Sequence, residues 1–124
     1  MVVLLSGDLM GMSRVEGSAR QAGISFRFLP NVEAVAELCA TQSVALVLVD
    51  LATPHLDVAE LVRRLQSASA EQAPRIMAFG PHVHEAVLEA AAAAGCDQVL
   101  SRGAFMVQVD AILAQHAAAN SPSG

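Results

Sequence analysis

The run Val44-Ala45-Leu46-Val47-Leu48-Val49 leads directly into an acid, Asp50, and then into Leu51-Ala52-Thr53-Pro54. Six consecutive apolar residues suit a strand covered on both faces. Strands of that kind belong to parallel sheets, and parallel neighbours need helical crossovers. The flanking sequence supplies them. Val2–Leu5 is a second continuous run. Met12, Val15, Ala19 and Ala22 then recur at helical spacing, with Gly23 placed to close the helix. Ile24–Leu29 alternates apolar and polar residues and reads as an outer strand. Pro30-Asn31 ends it, and Asn31 is a capping residue for a helix carrying Val32, Val35, Ala36 and Cys39 on one face.

The same alternation continues after Asp50. Val58, Leu61, Val62 and Leu65 mark a helix, and Asp57 with Glu60 three residues later is its capping pattern. Ile76–Phe79 is the fourth strand. His84–Ala94 is helical by propensity, with Gly95 as its stop. Gln98–Leu100 is a short fifth strand, and Phe105, Val109, Ile112 and His116 mark the last helix. Five β–α units predict an α/β, flavodoxin-like (βα)5 doubly wound parallel sheet of order 2-1-3-4-5. Residues 1–118 form the expected domain, and 119–124 a flexible tail within the small, polar stretch Ala117–Gly124.

Composition narrows the function. The net charge of −5, with seven Lys and Arg, excludes a wide basic surface for nucleic acid. No apolar run approaches the roughly 18–20 residues that span a membrane. The N-terminal segment lacks a basic flank and does not read as a signal peptide. Cys39 and Cys96 have no metal-type spacing and read as thiols of a reducing cytoplasm. No Ser-His-Asp or Cys-His set and no acid–base pair is evident, so the chain reads as a non-enzyme.

In doubly wound sheets, ligands sit at the carboxyl ends of the strands near the switch point. That rule gathers Asp50, Asp8, Phe79 and Arg102 around one shallow site. A carboxylate ending a central strand is costly if buried without a partner, so Asp50 lies at the lip or has a cation. Asp50 is also too early to cap the helix that Asp57 begins.

The segment Asp50-Leu51-Ala52-Thr53-Pro54-His55-Leu56-Asp57 resembles the D-L-x-x-P-x-x-D/G segment of response-regulator receiver domains. Gly95-Cys96-Asp97-Gln98-Val99-Leu100-Ser101-Arg102 resembles the G-A-x-x-Y-L-x-K segment at the end of their fifth strand. The resemblance covers residues 1–118 in element order and length. It implies a two-component signalling role, with Asp50 as phosphoacceptor from a histidine kinase and Arg102 pairing with the phosphate. It also implies Mg²⁺ held weakly by Asp8 and Asp50.

Several positions depart from that pattern. Ser6-Gly7 stands where receivers carry an acidic pair, with Asp8 one residue late. Phe79 replaces the strand-four hydroxyl, Val99 the switch aromatic, Arg102 the lysine and Gly103 the following proline. The expectation is therefore a pseudo-receiver that works through protein contacts, with phosphorylation of Asp50 impaired. In that reading Asp50 is held by Arg102 as a bidentate structural pair. A working phospho-receiver is the alternative.

A third reading is a small-molecule or metal-binding flavodoxin-like domain using His55, His82 and His84 on the same rim. The turn Ser6–Met12 suggests a phosphate cradle but lacks G-x-G-x-x-G spacing and a P-loop lysine. The last two helices are apolar round much of their circumference: Met106, Val107 and Leu113 extend the stripe of Phe105, Val109 and Ile112. In receivers such helices often pair, which implies a homodimer through this face.

Overall fold

The computed structural model describes residues 1–68 and 73–119. Five strands alternate with five helices: β1 Val2–Leu5, α1 Leu9–Ala22, β2 Phe26–Leu29, α2 Val32–Thr41, β3 Leu46–Asp50, α3 Val58–Ala68, β4 Arg75–Gly80, α4 Glu85–Ala94, β5 Gln98–Ser101 and α5 Arg102–Ala119. All neighbouring strands are parallel, in the order β2-β1-β3-β4-β5. This is the expected doubly wound sheet.

Alternation along each strand divides the core into two layers. Val3, Leu5, Val47, Val49, Ile76 and Ala78 face one side, where Val35 and Cys39 of α2, Leu61, Val62 and Leu65 of α3 and Ala91 of α4 cover them. Val2, Leu4, Leu46, Leu48, Met77 and Phe79 face the other, against Val15 and Ala19 of α1 and Phe105, Val109, Ile112 and Leu113 of α5. β1 and β3 are buried on both faces, which is why they read as unbroken apolar runs. A polar clamp joins the helices of the second layer. Asp110 of α5 accepts from the Arg14 guanidinium at 3.1 Å and from the Ser18 hydroxyl, both on α1. Those two hydrogen bonds, Arg14 first, hold the Asp110 carboxyl below its ordinary range.

Several boundaries shift from the sequence expectation for local reasons. β2 begins at Phe26 because Ile24, just past α1, is tied back to the end of that helix. Gly23 adopts the left-handed conformation at φ 71°, and the Ile24 N–H bonds back to the Ala19 carbonyl at 3.0 Å. α1 begins three residues before Met12 because Asp8 caps it, accepting from the Met10 N–H at 3.0 Å. α5 begins at Arg102 rather than near Phe105, with Ser101 Oγ accepting from the Ala104 N–H at 3.2 Å. Asn31 and Asp57 cap α2 and α3 as expected, each through the N–H three residues on.

α5 continues through Ala119, so Ala117–Ala119, expected to fray, are helical, and the helix passes the expected domain end at 118. The remainder of the expected tail, 120–124, lies outside the described residues. Val107, expected to extend the apolar stripe of α5, is 83% exposed, whereas Leu113 is fully buried. His116 is half-buried, with Nδ1 3.2 Å from the Ile112 carbonyl. No helix among the described residues is long and apolar enough to cross a membrane. Cys39 and Cys96 are free thiols.

Candidate functional site

The period-two rule decides which side chains meet at the carboxyl rim. Asp50 continues the alternation of Leu46 and Leu48 toward the α1–α5 layer. Ser6 continues that of Val2 and Leu4, and Leu4 lies beside Leu48 in the parallel pairing, so Ser6 falls beside Asp50. Leu100 of β5 faces the same layer, and Arg102 follows two residues later as the first residue of α5.

Asp50 is 3% exposed, and both carboxylate oxygens are engaged. The Ser6 hydroxyl donates to Oδ2 at 2.8 Å. Oδ1 accepts from the Ala52 N–H at 3.0 Å and from Nη2 of Arg102 at 3.1 Å. Three donors, one of them charged, compensate the burial of this carboxylate. The loop after β3 closes on the same residue. The Asp50 carbonyl accepts from the Thr53 N–H at 3.0 Å and from its hydroxyl at 2.7 Å. Gly80 ends β4 against this loop. A Cβ there would stand 3.2 Å from the Leu51 Cβ.

Arg102 does not form the bidentate pair with Asp50 that was expected. Its two terminal nitrogens face different acids: Nη2 meets Asp50, and Nη1 stands 3.9 Å from Oδ2 of Asp8. The second distance is an ion pair without a hydrogen bond. Oδ2 of Asp50 takes its donor from Ser6 instead, and Oδ1 accepts from Ala52 besides Nη2. Below the guanidinium lies Phe79, with Arg102 Cζ 5.7 Å from its ring centre. Phe79 is stacked on Phe105 at 4.1 Å between centroids and 4° between planes. An arginine on the first residue of a helix opposes the helix dipole. Here the two carboxylates and the aromatic face hold it in place.

Mg²⁺ asks for near-ideal octahedral oxygen coordination at about 2.0–2.1 Å. The two acids at this rim are already engaged. Asp8 commits Oδ1 to the Met10 N–H as the α1 cap, Asp50 has both oxygens engaged, and Arg102 supplies a cation between the two acids. Ser6, at the position expected for an acid, contributes a neutral hydroxyl and also accepts from the Asp8 N–H at 3.0 Å. Val99 faces away from Asp50 and packs, half-buried, in the α2–α4 layer. The histidines do not converge. His55 lies in the β3–α3 loop at φ 61°, while exposed His82 and His84 line a separate depression before α4. Among the described residues, no three or more His, Cys, Asp or Glu side chains gather into a metal cluster.

The sequence expectation does not include Ser6 or Thr53 as hydrogen-bond partners of Asp50. Ser6 was legible in principle, because register alone puts it beside Asp50. Thr53 carried no comparable signal, since its contacts depend on how the loop turns.

No protein-family model matches the sequence, and comparison with curated proteins finds no match. Solved structures do match. The receiver domain of a Pseudomonas aeruginosa sensor histidine kinase, solved with magnesium in its active-site cleft, superposes with a TM-score of 0.76 at 17% identity. The match covers 94% of this chain and 96% of that one. The receiver domain of NtrX from Brucella abortus gives 0.76 at 14% identity, covering 98% and 100%. The Ssk1 receiver domain of Saccharomyces cerevisiae, solved with the phosphotransfer protein Ypd1, accompanies a match of 0.68 at 19% identity, covering 82% and 77%. The chain therefore has the fold of the response-regulator receiver domains.

Proposed function

We propose that this chain is a two-component-type signalling module, a pseudo-receiver whose output passes through protein contacts and whose Asp50 is a poor phosphoacceptor. The observation that carries this reading is the set of donors on Asp50, which leaves neither carboxylate oxygen without a hydrogen bond. An acceptor carboxylate needs an oxygen free to attack and a cation free to take up phosphoryl charge. At this rim Ser6 and Ala52 occupy both oxygens, and Arg102 is committed to Asp50 and Asp8. Phe79 places a ring where a hydroxyl donor to the phosphoryl group would be needed, and that ring is locked against Phe105. Contacts fall to the surface of α4 and α5 and the loop before α4, where Val87, Val107 and Val83 are exposed at 42%, 83% and 70%. Self-association through these helices is part of the proposal, as is a reducing cytoplasm that keeps Cys39 and Cys96 as thiols.

A working phospho-receiver served by a histidine kinase is the second reading. It is favoured by Oδ2 of Asp8, which accepts no hydrogen bond from Arg102 at 3.9 Å and faces the same rim. Beryllofluoride with Mg²⁺ separates the two. The chain has no Trp or Tyr, so calorimetry is the suitable readout. The pseudo-receiver reading expects the same melting temperature with and without the reagent, in the parent and in Asp50→Asn. A stabilisation of the parent that Asp50→Asn abolishes establishes the second reading instead.

A further inference from the structure

We propose that Arg102 is a tethered counter-ion. Its guanidinium takes the place of a divalent cation between Asp8 and Asp50 and makes the rim independent of metal. The inference rests on the proposed signalling role only in treating this rim as the regulatory one, and its test is separate.

Three observations carry it. First, the guanidinium is divided between two carboxylates. Nη2 stands 3.1 Å from Oδ1 of Asp50, and Nη1 stands 3.9 Å from Oδ2 of Asp8. A cation held between two acids from different strand ends occupies the place a bridging metal ion would occupy. Second, the surroundings admit it. Phe79 offers a ring face beneath it at 5.7 Å. Gly11 does not crowd it: even a Cβ there would make only ordinary contact, 3.4 Å from Oδ2 of Asp8 and 4.0 Å from Nη1 of Arg102. Third, the position is electrostatically wrong for an arginine on helix grounds alone. Arg102 is the first residue of α5, whose first turn contains no acid, so the helix itself disfavours the charge there. Asp50 and Asp8 are its counter-charges at that end of the sheet. With one positive side chain already between them, a divalent ion entering this space would meet like charge at contact distance.

The consequence is specific. The two acids do not attract a divalent ion while Arg102 is present, and they do so once its charge is removed. Arg102→Met keeps an apolar stem over Phe79 and deletes the cation. Arg102→Gln is the second variant, polar and neutral, and circular dichroism checks that each is folded. Mn²⁺ binding is followed by the electron paramagnetic resonance signal of the free ion. The parent is expected to show no binding that depends on Asp8 or Asp50. Either folded Arg102 variant is expected to bind Mn²⁺ at least about tenfold more tightly than the parent, because ligand charge sets divalent-cation affinity. Adding Asp8→Asn or Asp50→Asn to that variant is expected to remove the gain.

Mn²⁺ binding by the parent that Asp8→Asn abolishes overturns the proposal. So does a folded Arg102 variant with no gain, or a gain that survives loss of both acids. If neither neutral variant folds, the parent titration alone decides. A beryllofluoride response bears on the function proposed above, whereas Mn²⁺ binding bears on the counter-ion, so either reading can fail while the other stands.

Discussion

The hydroxyl of Ser6 donates to Oδ2 of Asp50 at 2.8 Å, joining the ends of two adjacent strands across 44 positions of sequence. Both side chains are almost fully buried, at 2% and 3% exposure. The bond therefore supports a carboxylate that water does not reach. Removing one partner leaves a buried acceptor undersatisfied, which costs more than the bond itself contributes. Ser6→Ala is expected to destabilise the fold by about 1–3 kcal/mol, measured by urea unfolding followed by circular dichroism. A loss indistinguishable from that of Ser25→Ala, a change at an exposed residue, would show that Ser6 does not support Asp50.

Phe79 joins the rim to the core. Its ring lies between Arg102 and Phe105, itself fully buried. Phe79→Thr would supply the hydroxyl that the receiver resemblance asks for at this position. It would also remove the stack and leave a cavity beneath Arg102. The expected result is a loss of about 3 kcal/mol in unfolding free energy with no gain in phosphoryl uptake, since Arg102 and Ser6 still engage Asp50. Unfolding curves and intact-mass measurements on the same preparation check both parts.

Cys96 gives a pH dependence in the alkaline range. Burial first, and then the neighbouring Asp97 charge, push its thiol from 9.0 up to about 11. Because the folded value is raised, the folded state favours the neutral thiol. Stability from this source is complete below the ordinary value of 9.0 and is lost as pH rises through about 11. Cys96→Ala is expected to flatten the stability profile over that interval relative to the parent, in unfolding curves taken at successive pH values. Parallel profiles for the two proteins would remove Cys96 as the cause.

Sequence was most informative where a single physical rule determines structure. The apolar runs of β1 and β3 are unbroken because those strands are covered on both faces, and Asn31 and Asp57 cap because their side chains need only reach three residues ahead. The grouping of Asp50, Asp8 and Arg102 follows from strand order alone. Which atoms meet does not. The sequence suggests Asp8 only as a weak metal acid, whereas the structure has it capping α1 with one oxygen and facing Arg102 with the other. The sequence suggests Arg102 as a bidentate partner of Asp50. Its division between two acids, with Ser6 and Ala52 as the other donors to Asp50, is a matter of side-chain geometry that spacing does not carry. Apolar periodicity does not mark the start of α5 at Arg102, because the stripe begins at Phe105, a full turn after Ser101 caps the helix.

The central claim is that the rim holding Asp50 is closed by its own side chains. Intact-mass spectrometry after incubation with acetyl phosphate and Mg²⁺ tests it most directly, with Asp50→Asn measured in parallel. Unmodified protein in both samples is the predicted result. Addition of one phosphoryl group to the parent, absent from Asp50→Asn, would contradict the account.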